Sequence, residues 1–127
     1  MPTRHEFTGR HLLLTCSGCD PALLNDPPRL LNVLRQAAAA SGATLLDAVS
    51  HEFSPAGFTA FLLLSESHAS IHTFPEHSAC FVDLFTCGQG CDHDSFADVL
   101  QAALRPATVD RRLIERDQPC PVANSVG

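Results

Sequence analysis

The sequence predicts an α+β domain of two layers, an antiparallel sheet with helices on one of its faces. Three observations carry that expectation. Apolar runs of strand length recur along the chain, as HLLLTCSG (11–18), FTAFLLL (58–64) and ACFVDLFT (79–86). Two segments alone show a helical period, and the order is strand, helix, strands, helix, strand. The outer sheet face also carries many apolar side chains, so a second sheet is expected to cover it.

Each element has its own signal. After the first strand, Asn25-Asp26-Pro27-Pro28 marks a helix entry, with proline near the first helical position. Leu30, Leu31, Leu34, Ala37, Ala38 and Ser41 then share one face, and Gly42 stops the helix. ATLLDAVSHEF (43–53) reads as a strand, followed by a turn around Pro55 and Gly57 and the strand 58–64. If the next segment is extended, Ser67, Ala69, Ile71 and Thr73 face one way and His68, Ser70, His72 and Phe74 the other. CGQGCDHD (87–94) is a loop whose aspartates can cap a helix with Phe96, Val99, Leu100, Ala103 and Leu104 on its apolar side. Pro106 ends that helix, TVDRRLIER (108–116) is the last strand, and 118–127 is a loose tail.

Composition narrows the function. One domain spanning 1–127 is long enough to bury a core. The net charge of −6 argues against a nucleic-acid-binding face. All eight basic residues are Arg, so a lysine Schiff base to pyridoxal phosphate and a Walker-type phosphate loop are both excluded. MPTRHEFTGRH (1–11) lacks the apolar stretch of a signal peptide, and no apolar run reaches the ~20 residues of a membrane span. The expectation is a cytosolic protein with no membrane partner and mostly reduced cysteines.

Cys16-x-x-Cys19 and Cys87-x3-Cys91, with His93 nearby, invite a zinc or redox reading. Zinc spacing tolerates but does not favour the second pair, and no helix begins at the Cys16 motif as a thioredoxin-type pair requires. No metal is therefore expected, and Cys16, Cys19, Cys80 and Cys120 are read as small apolar fillers. His5, His11, His77 and His93 show no ligand pattern. A Ser67, His72, Asp83 triad lacks the glycine frame of a nucleophile elbow.

The unusual stretch is LSESHASIHTFP (64–75), where an apolar strand runs straight into hydroxyls, a glutamate and two histidines. A serine hydroxyl can attack the carbonyl before it, converting the Glu66-Ser67 peptide bond into an ester. Loss of the Cα proton then eliminates the ester and leaves dehydroalanine, which hydrolyses to an N-terminal pyruvoyl group. That gives a lysine-free chain its own carbonyl electrophile. The reaction needs a polarised peptide, a hydroxyl and a base. Ser67, Thr59 and His72 are the candidates.

GRH (9–11), Cys19-Asp20, SGAT (41–44), HEFSPAGFT (51–59), SESHASIHTFPEH (65–77) and VDLFTCG (82–88) together resemble the prokaryotic S-adenosylmethionine decarboxylase proenzyme family. The similarity keeps its order and spacing from about Gly9 to the helix ending near Leu104. It implies cleavage into a β chain (1–66), ending at Glu66, and an α chain (67–127), opened by a pyruvoyl cofactor made from Ser67. It further implies His72 as processing base, Thr59 as processing hydroxyl and Cys87 as the acid that returns a proton to the substrate. Phe53, Phe74 and Glu76 fall at substrate-binding positions. The resemblance also implies a homodimer forming a four-layer αββα sandwich with active sites at the interface. The small-molecule substrate would bind through its α-amine as a Schiff base, yielding the aminopropyl donor for spermidine synthesis.

Phe74 in place of tryptophan, HSACF (77–81), and Glu52 where a basic residue is frequent depart from the family pattern around the pocket. A pyruvoyl-dependent decarboxylase of arginine or ornithine is the second reading, and an unprocessed, non-catalytic homologue the third. An aromatic clamp suits S-adenosylmethionine, whereas a basic amino acid needs a carboxylate near its distal charge. Strict alternation puts Glu52 opposite Phe53.

Overall fold

The computed structural model describes residues 7–122. The readings on residues 1–6, which include His5 and most of the charged N-terminus, and on 123–127 of the tail lie outside the described residues. Six strands form one sheet in the order β2-β3-β4-β5-β1-β6, and every neighbouring pair is antiparallel. The strands are β1 (Gly9–Ser17), β2 (Leu45–Glu52), β3 (Phe58–Leu64), β4 (Ser67–Phe74), β5 (Ala79–Cys87) and β6 (Thr108–Arg116). The helices are α1 (Pro21–Leu24), α2 (Pro27–Ala40) and α3 (His93–Leu104). The expected α+β layering is present. The short α1 and a 3-10 turn at Pro75–His77 are additions that periodicity could not reveal, since each is about one turn long.

Capping explains where the helices begin. Asp20, Asp26 and Asp92 accept hydrogen bonds from the backbone N–H groups of Ala22, Arg29 and Ser95. Proline follows directly at Pro21 and Pro27, where its missing N–H costs nothing. One face of each long helix is then buried, through Leu30, Leu34, Ala37 and Ala38 in α2 and Phe96, Leu100 and Leu104 in α3. These side chains meet Leu12, Leu14, Leu62, Ile71 and Leu84 from the inner sheet face. Truncating Phe96, which is fully buried, to alanine would cost about 3–5 kcal/mol through the cavity left behind.

Period-2 alternation sorts the central strands cleanly. Ala69, Ile71 and Thr73 of β4 are buried, while His72 and Phe74 are exposed on the opposite face. That outer face displays Val49, Phe61, Leu63, Phe81 and Ile114, each at least one-third exposed. Arg111 of β6 instead reaches the helix side, where it bridges to Asp94 and Asp98 of α3.

Cys16, Cys19 and Cys80 are buried free thiols, as fillers should be. Hydrogen bonding to Cys16, its cross-strand partner, and burial push the Cys80 thiol far up, so it stays protonated. Cys120 corrects the filler reading: it is exposed on the segment after β6, where no core exists for it to fill. Among the described residues neither cysteine motif gathers three ligand atoms. No described helix is long and apolar enough to cross a membrane.

Candidate active site

Ser65 and Glu66 form a two-residue turn between β3 and β4, closed by the Leu64–Ser67 pair. Two-residue hairpins favour turns with positive φ in the loop itself. Here neither loop residue has positive φ, and Ser67 does instead, at 154°. Residues with a side chain rarely adopt that backbone, and holding one there costs about 1–3 kcal/mol.

The turn is fastened on both sides. Ser65 N–H donates to the Thr44 carbonyl at 2.9 Å, and a Glu66 carboxylate oxygen accepts from Thr44 N–H at 2.9 Å. The Glu66 carbonyl, the group a Ser67 hydroxyl would attack, accepts from Cys87 N–H at 2.9 Å. Cys87 itself is half-buried at the end of β5, whose Thr86 pairs directly with Ser67. The fold therefore brings Glu66, Ser67 and Cys87 together.

His93 and Thr86 lie behind this turn. Thr86 and His93 are hydrogen-bonded, Oγ1 to Nε2, at 3.0 Å, and His93 Nε2 also lies 3.2 Å from the Arg10 carbonyl. A carbonyl only accepts, so Nε2 carries the proton. Burial, followed by the Arg10 charge, lowers the His93 pKa, and the ring is held neutral. Sequence reading had no handle on this pair, because the loop 87–94 hides how near His93 comes to β5.

A second group forms at the far end of β4. Thr59 pairs with His72 across β3 and β4, and its hydroxyl lies 3.1 Å from His72 Nδ1. Beside them is a cavity of about 360 Å³ lined by Phe53, Thr59, His72, Phe74, Glu76 and Phe81. Phe74 and Phe81 meet edge to face at 5.3 Å, giving the wall a rigid aromatic corner. Gly57 closes the β2–β3 loop at φ 108°, with Phe53 N–H bonded to its carbonyl at 2.8 Å. Glu52 pairs with Phe58 on the helix side and is absent from this cavity.

All eight sequence-predicted residues thus fall into two groups, one around Ser67 and one around His72. Those two lie five steps apart along the strand, roughly 16 Å at about 3.3 Å per residue. The hydrolase triad does not form: Asp83 bonds to His11 and Ser70 and lies near His68, not His72.

The S-adenosylmethionine decarboxylase family model matches residues 10–117, most of the chain. This chain belongs to that family. An S-adenosylmethionine decarboxylase proenzyme of Parasynechococcus marenigrum is 42% identical over 120 residues, covering 94% of both chains. The proenzyme of that name from Methanococcus maripaludis is 40% identical over 116 residues, covering 87% of this chain and 94% of its own. The crystal structure of the adenosylmethionine decarboxylase from Aquifex aeolicus superposes with a TM-score of 0.81 at 29% identity, covering 94% of this chain and 98% of the other. Family membership makes this protein a decarboxylase, and the α+β sheet-and-helix architecture is the one seen in that solved relative.

Proposed function

We propose that this family member cuts itself between Glu66 and Ser67 and then decarboxylates S-adenosylmethionine. The observation that carries the self-cleavage is the strained Ser67 backbone beside a carbonyl already hydrogen-bonded to Cys87 N–H. Ser67 Oγ adds to the Glu66 carbonyl carbon, and the Cys87 N–H steadies the negative charge that grows on its oxygen. The C–N bond breaks, leaving an ester and a free amine at position 67. A base removes the Ser67 Cα proton, the Cβ–Oγ bond breaks, and Glu66 departs as a carboxylate. Water hydrolyses the resulting enamine, ammonia leaves, and position 67 ends as a pyruvoyl group. The same residues fit that product, since the freed carbonyl remains beside Cys87 at the end of β5.

Neither the base nor the aromatic cavity is within reach of Ser67 on one chain. A second copy supplies them if the outer sheet faces pack together around a two-fold axis. His72 and Thr59 of one protomer then meet Ser67 and Cys87 of its partner, and the exposed Phe61, Leu63 and Phe81 are buried. This gives the four-layer αββα dimer a chemical necessity as well as an apolar one.

The pyruvoyl carbonyl supplies an electron sink for the pair left on the substrate when carbon dioxide departs. Cys87 returns a proton to that carbon. Phe53, Phe74 and Phe81 offer faces for an adenine ring, and Glu76 places a carboxylate in the same cavity for the sulfonium charge. The placement of Glu52 outside the cavity removes one carboxylate that a basic amino acid could have used.

Intact-mass spectrometry of purified protein is expected to show fragments 1–66 and 67–127. Ser67→Ala is expected to stay full length, with no detectable cleavage. Carbon dioxide release should follow with S-adenosylmethionine and not with arginine or ornithine. Wild-type chain that remains whole on prolonged incubation would contradict the reading.

A further inference from the structure

The outer face of the sheet carries a polar cluster that neither half of the site uses. His11 of β1 and His68 of β4 both pair with Phe85 of β5, so they flank it on either side. Asp83 lies two residues along β5 on the same face. His11 Nε2 is 2.7 Å, and His68 Nε2 3.4 Å, from one and the same carboxylate oxygen, Asp83 Oδ2. The other oxygen, Oδ1, accepts from the Ser70 hydroxyl, directly across on β4.

We propose that His11, His68 and Asp83 form a binding site for a divalent transition-metal ion such as zinc. Their three donor atoms all lie within 4.8 Å of one another. A tetrahedral ion with bonds of about 2.0–2.1 Å holds its ligands about 3.4 Å apart. The His68–Asp83 separation already has that value, and the His11–Asp83 pair needs to open by only about 0.7 Å on the same geometry. The ion takes the place of the His11–Asp83 hydrogen bond, with each imidazole binding through Nε2 and the carboxylate through Oδ2.

Three features make this a built site. The ligands sit on three adjacent strands, not on loops, so the backbone ladder fixes their spacing. Ser70 occupies Oδ1 and leaves Oδ2 aimed at the histidines, the outer-shell support that metal-bound carboxylates use. Phe61 stacks on the His68 ring at 5.2 Å and Phe85 meets His11 edge-on at 5.3 Å, walling two sides. Two imidazoles in a set of three select zinc, cobalt or nickel over magnesium or calcium, which prefer all-oxygen shells. The ion would clamp β4 to β5 and β1 one residue beyond Ser67.

Titration of chelator-stripped protein, cut or whole, with cobalt(II), followed by its visible spectrum, tests the assignment without any need for cleavage or turnover. One ion per chain is expected, with nitrogen–oxygen ligand-field bands and no thiolate charge-transfer band. His11→Ala and Asp83→Asn should each weaken binding at least tenfold. Cys120→Ser, which removes the exposed thiol, should leave it unchanged. Zinc should raise the melting temperature of wild type and not of His11→Ala. If Asp83→Asn fails to fold, His68→Gln serves in its place. No saturable binding, a thiolate spectrum, or equal affinity in wild type, His11→Ala and His68→Gln would each overturn the proposal.

Discussion

At its start, β4 presents a serine in a strained conformation, and the carbonyl before it is polarised by Cys87 N–H. Near its other end the same strand presents an exposed histidine, paired with Thr59 beside an aromatic cavity. The first end holds the Glu66–Ser67 peptide bond and a thiol; the second holds a histidine, a hydroxyl and room for a ligand. A β-strand is the wrong element for joining such groups within one chain. It adds about 3.3 Å per residue, so groups at its two ends stay apart. On the function proposed above, the two ends are halves of one site that a second copy completes.

The largest effect in a variant still able to start the reaction belongs to His72. His72→Ala should slow cleavage by about 10²–10⁴-fold, the usual contribution of a positioned base. The chain should stall as the Glu66–Ser67 ester, which hydroxylamine then splits. Ordinary cleavage kinetics in His72→Ala would show that the far end of β4 takes no part in processing.

Cys87→Ala should separate the two reactions. Its backbone N–H remains, so cleavage should stay within several-fold of wild type. Decarboxylation should fall by about 10²-fold, because no acid returns the proton. Carbon dioxide release at the wild-type rate would remove the thiol from the mechanism and leave only its backbone at the Ser67 end.

The smallest expected effect concerns the histidine behind Ser67. Burial and Arg10 lower the pKa of His93, whereas His72 lies exposed at the opposite end. A histidine with a depressed native pKa binds fewer protons folded than unfolded, so stability is lost as pH falls below the unfolded value. The melting temperature of wild type should drop more steeply from about pH 7 to about pH 5.5 than that of His93→Gln. Parallel curves would mean that His93 protonates as freely in the fold as outside it.

Much of this is legible in the sequence. The strands 58–64 and 108–116 have the bounds expected of them, and alternation along β4 put His72 and Ile71 on opposite faces correctly. Local pattern suffices there because period 2 and period 3.6 are properties of neighbouring residues. The site residues were named from motifs, and motifs carry no distances. Thr59 beside His72 was foreseeable only as adjacent strands, and the Cys87 N–H on the Glu66 carbonyl depends on β4–β5 register. His11 and Asp83, separated by 72 positions in sequence, meet for the same reason. No spacing rule reaches across a sheet order of β4-β5-β1. Cys120 was misjudged because hydrophobicity says where a thiol is tolerated, not whether a core is there to receive it.

Complementation between two inactive variants tests the joining of the half-sites most directly. Ser67→Ala keeps His72 and cannot be cut, while His72→Ala keeps Ser67 and lacks the base. Coexpressed with different tags and purified as mixed dimers, the pair should yield cleaved His72→Ala chain, driven by His72 of its partner. The Ser67→Ala chain should remain whole, and each variant alone should show only its own residual rate. Mixed dimers in which the His72→Ala chain is cut no faster than when alone would contradict the account, since the base would then have to act within its own chain.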